Sequence, residues 1–253
     1  MKISYREIKA SYSMEKREEE KCKIGYYLLR IPSFAGSWFL ANIGMSANHV
    51  TILSIFVSLA GFILIVFKVD ACKWLGAGLL LFRGYLEAVD GNIARYKGPT
   101  KLGAFLDDLG TALCNAFIYP AVAMGVYVSG CSLSIGLPVE LIIALGFWAS
   151  LSRLTANALF QKFRILFSES VARDVIPALQ TVSFKSLKGT MAIIMLNLTD
   201  VTSTVPIILI LATVLGWEDL FVVLYATLNT LIFLYTLYGL IRKSIREQKR
   251  LCS

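Results

Sequence analysis

Residues 81–112 read LFRGYLEAVDGNIARYKGPTKLGAFLDDLGTA, and this stretch governs the interpretation of the whole sequence. It consists of two apolar segments joined by a short basic turn with a Gly-Pro pair at its centre. Four carboxylates interrupt the apolar segments: Glu87 and Asp90 before the turn, Asp107 and Asp108 after it. Whether these segments cross a membrane decides what the carboxylates mean, because acidic side chains inside a bilayer are costly and mark functional sites.

The composition of the whole chain indicates a membrane protein. Of its 253 residues, 57% are hydrophobic and 17% are charged, whereas a soluble domain has roughly 45–50% and 25%. A soluble nucleic-acid-binding protein is therefore excluded, despite a net charge of +8. Apolar windows of about 20 residues, the length that crosses a bilayer, predict six spans. They lie at 49–68, 74–94, 103–129, 134–156, 190–216 and 219–241.

We therefore expect an all-α integral membrane protein with six transmembrane helices and an N-terminal interfacial amphipathic helix. Of the 25 Lys and Arg residues, 22 fall on one side of the predicted spans, which indicates that both termini are cytosolic. The expected parts are a cytosolic arm (1–48), the six-helix domain (49–242) and a basic tail (243–253). Within the arm, residues 24–40 predict the interfacial helix, and most of residues 1–20 are expected to be disordered.

The spacing around the turn places acids of the two spans at one depth. Asp90 lies eight residues before Gly98, and Asp107 lies eight after Pro99, so in an antiparallel hairpin both stand about 12–13 Å from the apex. Glu87 lies one turn deeper, on the face of Asp90. Converging carboxylates repel one another unless a cation neutralises them, and a hard divalent cation prefers oxygen ligands. Two such ions would suit phosphoryl transfer.

A second interpretation of the acids is internal ion pairing. Arg83 lies one turn before Glu87 and could pair with it. Arg95 or Arg153 could pair with the aspartates in the same way. The single histidine, His49, excludes a histidine-rich metal site.

The segment Glu87-Ala88-Val89-Asp90-Gly91-Asn92-Ile93-Ala94-Arg95, followed by Gly103-Ala104-Phe105-Leu106-Asp107, resembles a family signature. That signature is D-x2-D-G-x2-A-R-x8-G-x3-D-x3-D, of the CDP-alcohol phosphotransferase family. The segment Ser46-Ala47-Asn48-His49-Val50-Thr51 is similar to the one that opens the family's first span. Members are six-span enzymes, commonly dimeric, which transfer a phosphoryl-alcohol unit from a CDP-linked donor to an alcohol and release CMP.

The resemblance implies roles for individual positions. Three acids would hold two ions of Mg²⁺ or Mn²⁺: Glu87, Asp90 and Asp107. Four residues would form the nucleotide site: Gly91, Ala94, Arg95 and Gly103. Arg153 resembles basic residues that members use near the acceptor or phosphate site. The implied partners are a CDP-linked lipid donor, an acceptor alcohol, membrane lipids and a second copy of the chain.

The sequence departs from the signature in the identity and register of its acids. The first acid is Glu87 instead of Asp, which still ligates a metal but with one more methylene of reach. The loop between Arg95 and Gly103 is one residue short, so a count from Arg95 makes Asp108 the third acid. Gly103 and the symmetry about the turn favour Asp107.

The fourth acid, the family's proposed general base, is replaced by Thr111, or by Ala112 in the other register. A threonine cannot act as a general base at neutral pH, and losing such a base costs about 10²–10⁴ in rate. Asp108 could substitute for it, or could instead pair with a lysine or arginine of another helix. Asp108 and Thr111 are therefore the candidate catalytic positions.

The leading hypothesis is a membrane transferase of phospholipid biosynthesis, with CDP-diacylglycerol as donor. The alternative is a catalytically impaired relative that binds a CDP-lipid or a metal as a scaffold, because the fourth acid is missing. A cation transporter would also use intramembrane acids, but it gives no reason for the Gly-x2-Ala-Arg continuation.

Overall fold

The computed structural model describes residues 3–130, 136–167 and 187–251. Helices and turns make up these residues, and no strand occurs among them. The α-helices are Tyr5–Ala10 (α1), Met14–Glu20 (α2), Ile31–Asn42 (α3), Ala47–Val66 (α4), Asp70–Lys97 (α5), Lys101–Ser129 (α6), Val139–Phe167 (α7), Leu187–Leu198 (α8), Thr204–Leu215 (α9) and Glu218–Leu251 (α10). A π-helical turn, Tyr26–Arg30, leads directly into α3. The basic connection expected after the fourth span includes residues 168–186, which lie outside the described residues. Residues 134 and 135, at the start of the predicted fourth span, also lie outside them.

Four of the helices are long and apolar enough to cross a membrane: Ala47–Val66, Lys101–Ser129, Val139–Phe167 and Glu218–Arg246 of α10. The chain is therefore a multi-pass α-helical membrane protein. Helix α5 has the length to cross, with 28 residues, and it carries the charged residues of the predicted second span.

The predicted fifth span is not one helix, which corrects the expectation of a single span over 190–216. Helices α8 and α9 have 12 residues each and are separated by residues 199–203. At 1.5 Å per residue each is about 18 Å long, shorter than the ~30 Å hydrocarbon core. Asp200 stabilises the break, because its carboxylate accepts hydrogen bonds from the Thr202 amide (3.0 Å) and the Ser203 hydroxyl (2.5 Å).

The expectation of disorder over most of residues 1–20 is wrong. Helix α1 begins with a capping box between Ser4 and Glu7, and Ser13 caps α2. The charged composition hid two apolar contacts: Ile8 and Tyr12 are buried in a cluster that includes Phe34 of α3.

Helix α3 packs on α5 through small polar residues. The Ser37 hydroxyl donates to the Val89 carbonyl (3.2 Å), and the Asn92 amide donates to Ser33 Oγ (2.8 Å) and Ser37 Oγ (3.1 Å). Trp38 and Phe39 are exposed on the other side of α3. The predicted segment 24–40 is thus helical, and its position along the cytosolic leaflet stays a prediction.

Helix α4 contacts both helices that carry the acids. It packs extensively on α5 and on α6, whereas α5 and α6 make few direct contacts with each other. Helix α5 ends at Gly98, whose φ of +99° favours glycine, and Thr100 caps α6 by accepting the Gly103 amide (2.9 Å). The two acid-bearing helices therefore meet through α4 and not as a closely packed hairpin.

The α8–α9 break lies directly against the backbone of α5. A Cβ atom on Gly84 would lie 1.8 Å from the Thr202 carbonyl oxygen, so only glycine allows this approach. By contrast, a Cβ on Gly78 of the same helix would meet nothing within 4 Å.

These two glycines provide a matched test of the packing. Gly84→Ala should push the break away from α5 and destabilise the protein by about 1–3 kcal/mol, the usual effect of overpacking. Gly78→Ala should be neutral or stabilise by about 0.5–1 kcal/mol, because alanine favours helix over glycine. Thermal unfolding in detergent measures both. Equal melting temperatures for the two variants would contradict this packing.

Candidate active site

Arg83 and Glu87 form an ion pair on one face of α5. The distance from Arg83 Nη1 to Glu87 Oε2 is 2.8 Å, and the arginine side chain is 2% exposed. The Thr202 hydroxyl donates to the other carboxylate oxygen, Oε1, at 3.2 Å. The pairing interpretation of Glu87 is thus confirmed, and the α8–α9 break supplies its second partner.

Asp90 lies one turn further along α5 and is 7% exposed. Its Oδ2 accepts a hydrogen bond from the Thr51 hydroxyl of α4 at 2.7 Å. Arg83 also interacts electrostatically with Asp90 and with Asp107 of α6. Arg83 is therefore the direct ion-pair partner of Glu87 and a longer-range counter-charge for Asp90 and Asp107.

The three acids share this counter-ion without forming a complete ligand set. In the described parts of the chain, no group of three acidic, histidine or cysteine side chains is close enough to hold a metal ion. Asp107 and Asp108 lie on the exposed side of α6. The donor chemistry nevertheless fits a divalent cation, because the three carboxylates outnumber the one guanidinium that interacts with them and leave an excess of negative charge.

The candidate catalytic positions differ in their surroundings. Asp108 is exposed and interacts electrostatically with its neighbour Asp107. Thr111 is half-buried, one turn further along α6, and its carbonyl accepts a hydrogen bond from the Asn115 amide (2.9 Å). Only Asp108 of the two carries a group that can accept a proton at neutral pH.

The predicted nucleotide residues of α5 lie beside the N-terminal arm. Arg95 Nη2 donates to Asn92 Oδ1 at 3.0 Å. A Cβ on Gly91 would lie 3.4 Å from the Arg95 guanidinium and 3.6 Å from that of Arg30. Ala94, the third residue of this set, is half-buried on the same helix.

Gly103, the fourth predicted nucleotide residue, is in close contact with the start of α4. A Cβ there would lie 2.9 Å from Asn48 Oδ1 and 3.0 Å from Thr100 Oγ1. The Thr100 hydroxyl in turn donates to Asn48 Oδ1 at 3.3 Å. The segment that opens α4 therefore reaches both acid-bearing helices, through Asn48 and Thr51.

Arg153 of α7 lies at the α8–α9 break. Its Nη2 donates to the Thr199 carbonyl at 3.4 Å, and its charge interacts with Asp200. Because residues 199–203 also contact Glu87, the predicted phosphate or acceptor residue is connected to the acids through this break.

A cavity of about 120 Å³ lies between the arm, α5 and the α8–α9 break, and it has room for several waters or a small polar group. Its charged lining residues are Glu20, Lys23, Arg30, Glu87 and Asp200. From the sequence, Asp200 is expected to be a polar contact within the helix bundle or, alternatively, part of an acceptor pocket. Sequence reasoning missed Arg30 and Glu20, since nothing in the sequence indicates that the arm folds against α5.

Glu20 is held as an anion beside this cavity. Burial raises the pKa of Glu20, but the Arg30 guanidinium and hydrogen bonds from Arg30 and Tyr12 lower it more, so the net pKa lies below its ordinary value. The pair therefore stabilises the fold above the unfolded-state pKa of about 4.3 and loses its effect as the pH falls through the lower folded pKa.

Comparison with models of known protein families identifies a match over most of the chain. Residues 44–225 match the family described as CDP-alcohol phosphatidyltransferase. This range contains all four acids, Arg95 and Arg153, and it does not include Glu20 and Arg30 of the arm. No curated protein sequence matches the chain.

The buried ion pair predicts a non-additive mutant cycle. Arg83→Met should destabilise the protein by about 3–5 kcal/mol, because it leaves the Glu87 carboxylate buried without its cation. The double variant Arg83→Met/Glu87→Gln should recover part of this loss, since both charges are removed together. Chemical unfolding of the detergent-solubilised protein measures the cycle. Additive effects of the two changes would contradict a direct pair.

Proposed function

Because the chain belongs to the CDP-alcohol phosphatidyltransferase family, we propose that it transfers a phosphatidyl unit from CDP-diacylglycerol to the hydroxyl of an acceptor alcohol. The acceptor oxygen bonds to the phosphorus that carries the lipid. The pyrophosphate P–O bond breaks, and CMP leaves with the bonding electron pair. The observation that carries the proposal is that the three acids, all of which interact electrostatically with the buried Arg83, lie inside the region that matches the family.

We assign Glu87, Asp90 and Asp107 as the residues that would hold Mg²⁺ or Mn²⁺, two ions being the number that the resemblance implies. A bound divalent cation would neutralise the pyrophosphate and the departing CMP. The chain's own contribution is the position of the donors: Thr51 orients the Asp90 carboxylate, and Thr202 orients that of Glu87. Arg83 balances part of their charge when no ion is bound.

Asp108 is the proposed acceptor of the hydroxyl proton, and Thr111 takes the place of the family's fourth acid without replacing its chemistry. The exposed position of Asp108 supports this role, because a base must reach a substrate that enters from outside the helix bundle. Arg95, with Gly91, Ala94 and Gly103, is assigned to the nucleotide. Arg153 is assigned to a phosphate or the acceptor.

We further propose six membrane crossings with both termini in the cytosol. The four long apolar helices support this topology, and α5 together with the α8–α9 pair would supply the other two crossings. The homodimer stays a prediction of the resemblance.

Release of CMP tests the catalytic proposal. Purified full-length protein with CDP-diacylglycerol, a panel of acceptor alcohols and Mg²⁺ or Mn²⁺ should release CMP. Asp90→Asn and Asp107→Asn should abolish the metal-dependent release, and Asp108→Asn should lower it by about 10²–10⁴. Glu140→Gln, at an exposed acid in the first turn of α7, is the control and should retain full activity. Unchanged turnover in a folded Asp90→Asn protein would refute the assignment.

A non-catalytic relative that binds a CDP-lipid or a metal as a scaffold is the second candidate. Thr111 in place of the fourth acid favours it, as does the incomplete ligand set among the described residues. Binding of CDP with Mg²⁺, but no CMP release with any acceptor, would support the scaffold. If Thr111→Asp then produced turnover, the threonine would be identified as the residue that limits the chemistry.

A further inference from the structure

The guanidinium groups of Arg30 and Arg95 lie together beside Gly91, although they come from different parts of the chain. Both donate to Asn92 Oδ1, from Arg30 Nη1 at 3.5 Å and from Arg95 Nη2 at 3.0 Å. The ring of Tyr12 faces both, with its centroid 5.7 Å from Arg30 Cζ and 5.2 Å from Arg95 Cζ. Two like charges this close repel each other unless an anion lies with them.

Glu20 supplies that anion in a two-point contact. Its Oε2 accepts from Arg30 Nε at 2.8 Å, and its Oε1 accepts from Arg30 Nη2 at 3.3 Å. The Tyr12 hydroxyl also donates to Oε2, at 2.8 Å. A guanidinium binds a phosphate with this same paired geometry.

The ion pair of Arg30 and Glu20 borders the space next to the acids of α5. Arg30 and Glu20 line the cavity of about 120 Å³ together with Glu87. Arg95 lies close enough to interact electrostatically with both Glu20 and Asp90. An anion between the two arginines would therefore lie beside the residues to which the chemistry is assigned.

We propose that Arg30 and Arg95 form a phosphate-binding subsite, and that Glu20 occupies it as an internal anion which the substrate displaces. A phosphate carries more charge and more acceptor oxygens than the single carboxylate it replaces. The Glu20 carboxylate can leave because it lies at the end of α2, a seven-residue helix whose residues 14–18 are exposed. The proposal rests on the proposed function for the identity of the substrate: the phosphate belongs either to the CDP-linked donor or to a phosphorylated acceptor.

Pyrophosphate binding to the full-length protein in detergent tests the subsite directly. Glu20→Gln removes the competing charge and should tighten pyrophosphate binding by about tenfold. Glu18→Gln is the matched control, because Glu18 lies on the same helix, is exposed and pairs with Lys21 at the surface; its affinity should equal that of the wild type. Unchanged or weaker binding by a folded Glu20→Gln protein would overturn the proposal.

Further variants separate binding from a structural role. Arg30→Gln alone would leave Glu20 unpaired and could unfold the protein, so the informative change is Glu20→Gln/Arg30→Gln, which removes the pair together. This double variant should lose the gain seen in Glu20→Gln, and a gain that persists would overturn the role of Arg30. If Glu20→Gln does not fold, hydrogen exchange on the wild type replaces it. Saturating pyrophosphate should accelerate exchange over residues 14–20, and slower or unchanged exchange would overturn the displacement.

Two ligand arms identify the source of the phosphate. If Glu20→Gln gains affinity for CDP but not for glycerol phosphate, the subsite belongs to the donor, and the reverse result assigns it to the acceptor. A gain in affinity for neither ligand overturns the proposal. Pyrophosphate also separates this inference from the proposed function. If Glu20→Gln binds pyrophosphate more tightly but the wild type never releases CMP, the proposed function alone is refuted. If the wild type releases CMP but Glu20→Gln does not bind pyrophosphate more tightly, the subsite alone is refuted.

Discussion

The arrangement of this protein depends on one buried guanidinium, that of Arg83 in helix α5. Arg83 is almost inaccessible, pairs with Glu87 at 2.8 Å and interacts electrostatically with Asp90 and Asp107. A charge buried this completely is tolerated only with partners of opposite sign. Three acids carry more negative charge than one guanidinium balances, and a divalent cation would neutralise the remainder.

Three other parts of the chain contact these acids or the cavity beside them. Helix α4 contributes Thr51 to Asp90, the α8–α9 break contributes Thr202 to Glu87, and the arm closes the remaining side with Arg30. The break is the least regular of these, and it also holds Arg153 through the Thr199 carbonyl. Irregular backbone within a helical membrane protein is tolerated where it is buried in protein or lines a polar cavity, and Asp200, Thr202 and Ser203 of the break line one.

The sequence predicts the helical membrane class and the acidic positions, because apolar length and buried charge are local properties of the chain. It also allows the Arg83–Glu87 pair, since residues four apart share a helix face. It does not predict that α4 lies against both acid-bearing helices or that the fifth span is broken. The fold of the arm is hidden for a similar reason: Ile8 and Tyr12 are two apolar residues in a charged stretch, and their burial depends on surfaces distant in sequence.

A bound divalent cation would take over from Arg83 as the counter-charge of the three acids. An experimental structure of the full chain with Mn²⁺ and CDP, using the anomalous signal of manganese, tests this exchange most directly. We predict manganese bound by carboxylate oxygens of Glu87, Asp90 and Asp107, with the Arg83–Glu87 contact broken. Manganese bound elsewhere, with that contact intact, would contradict the account.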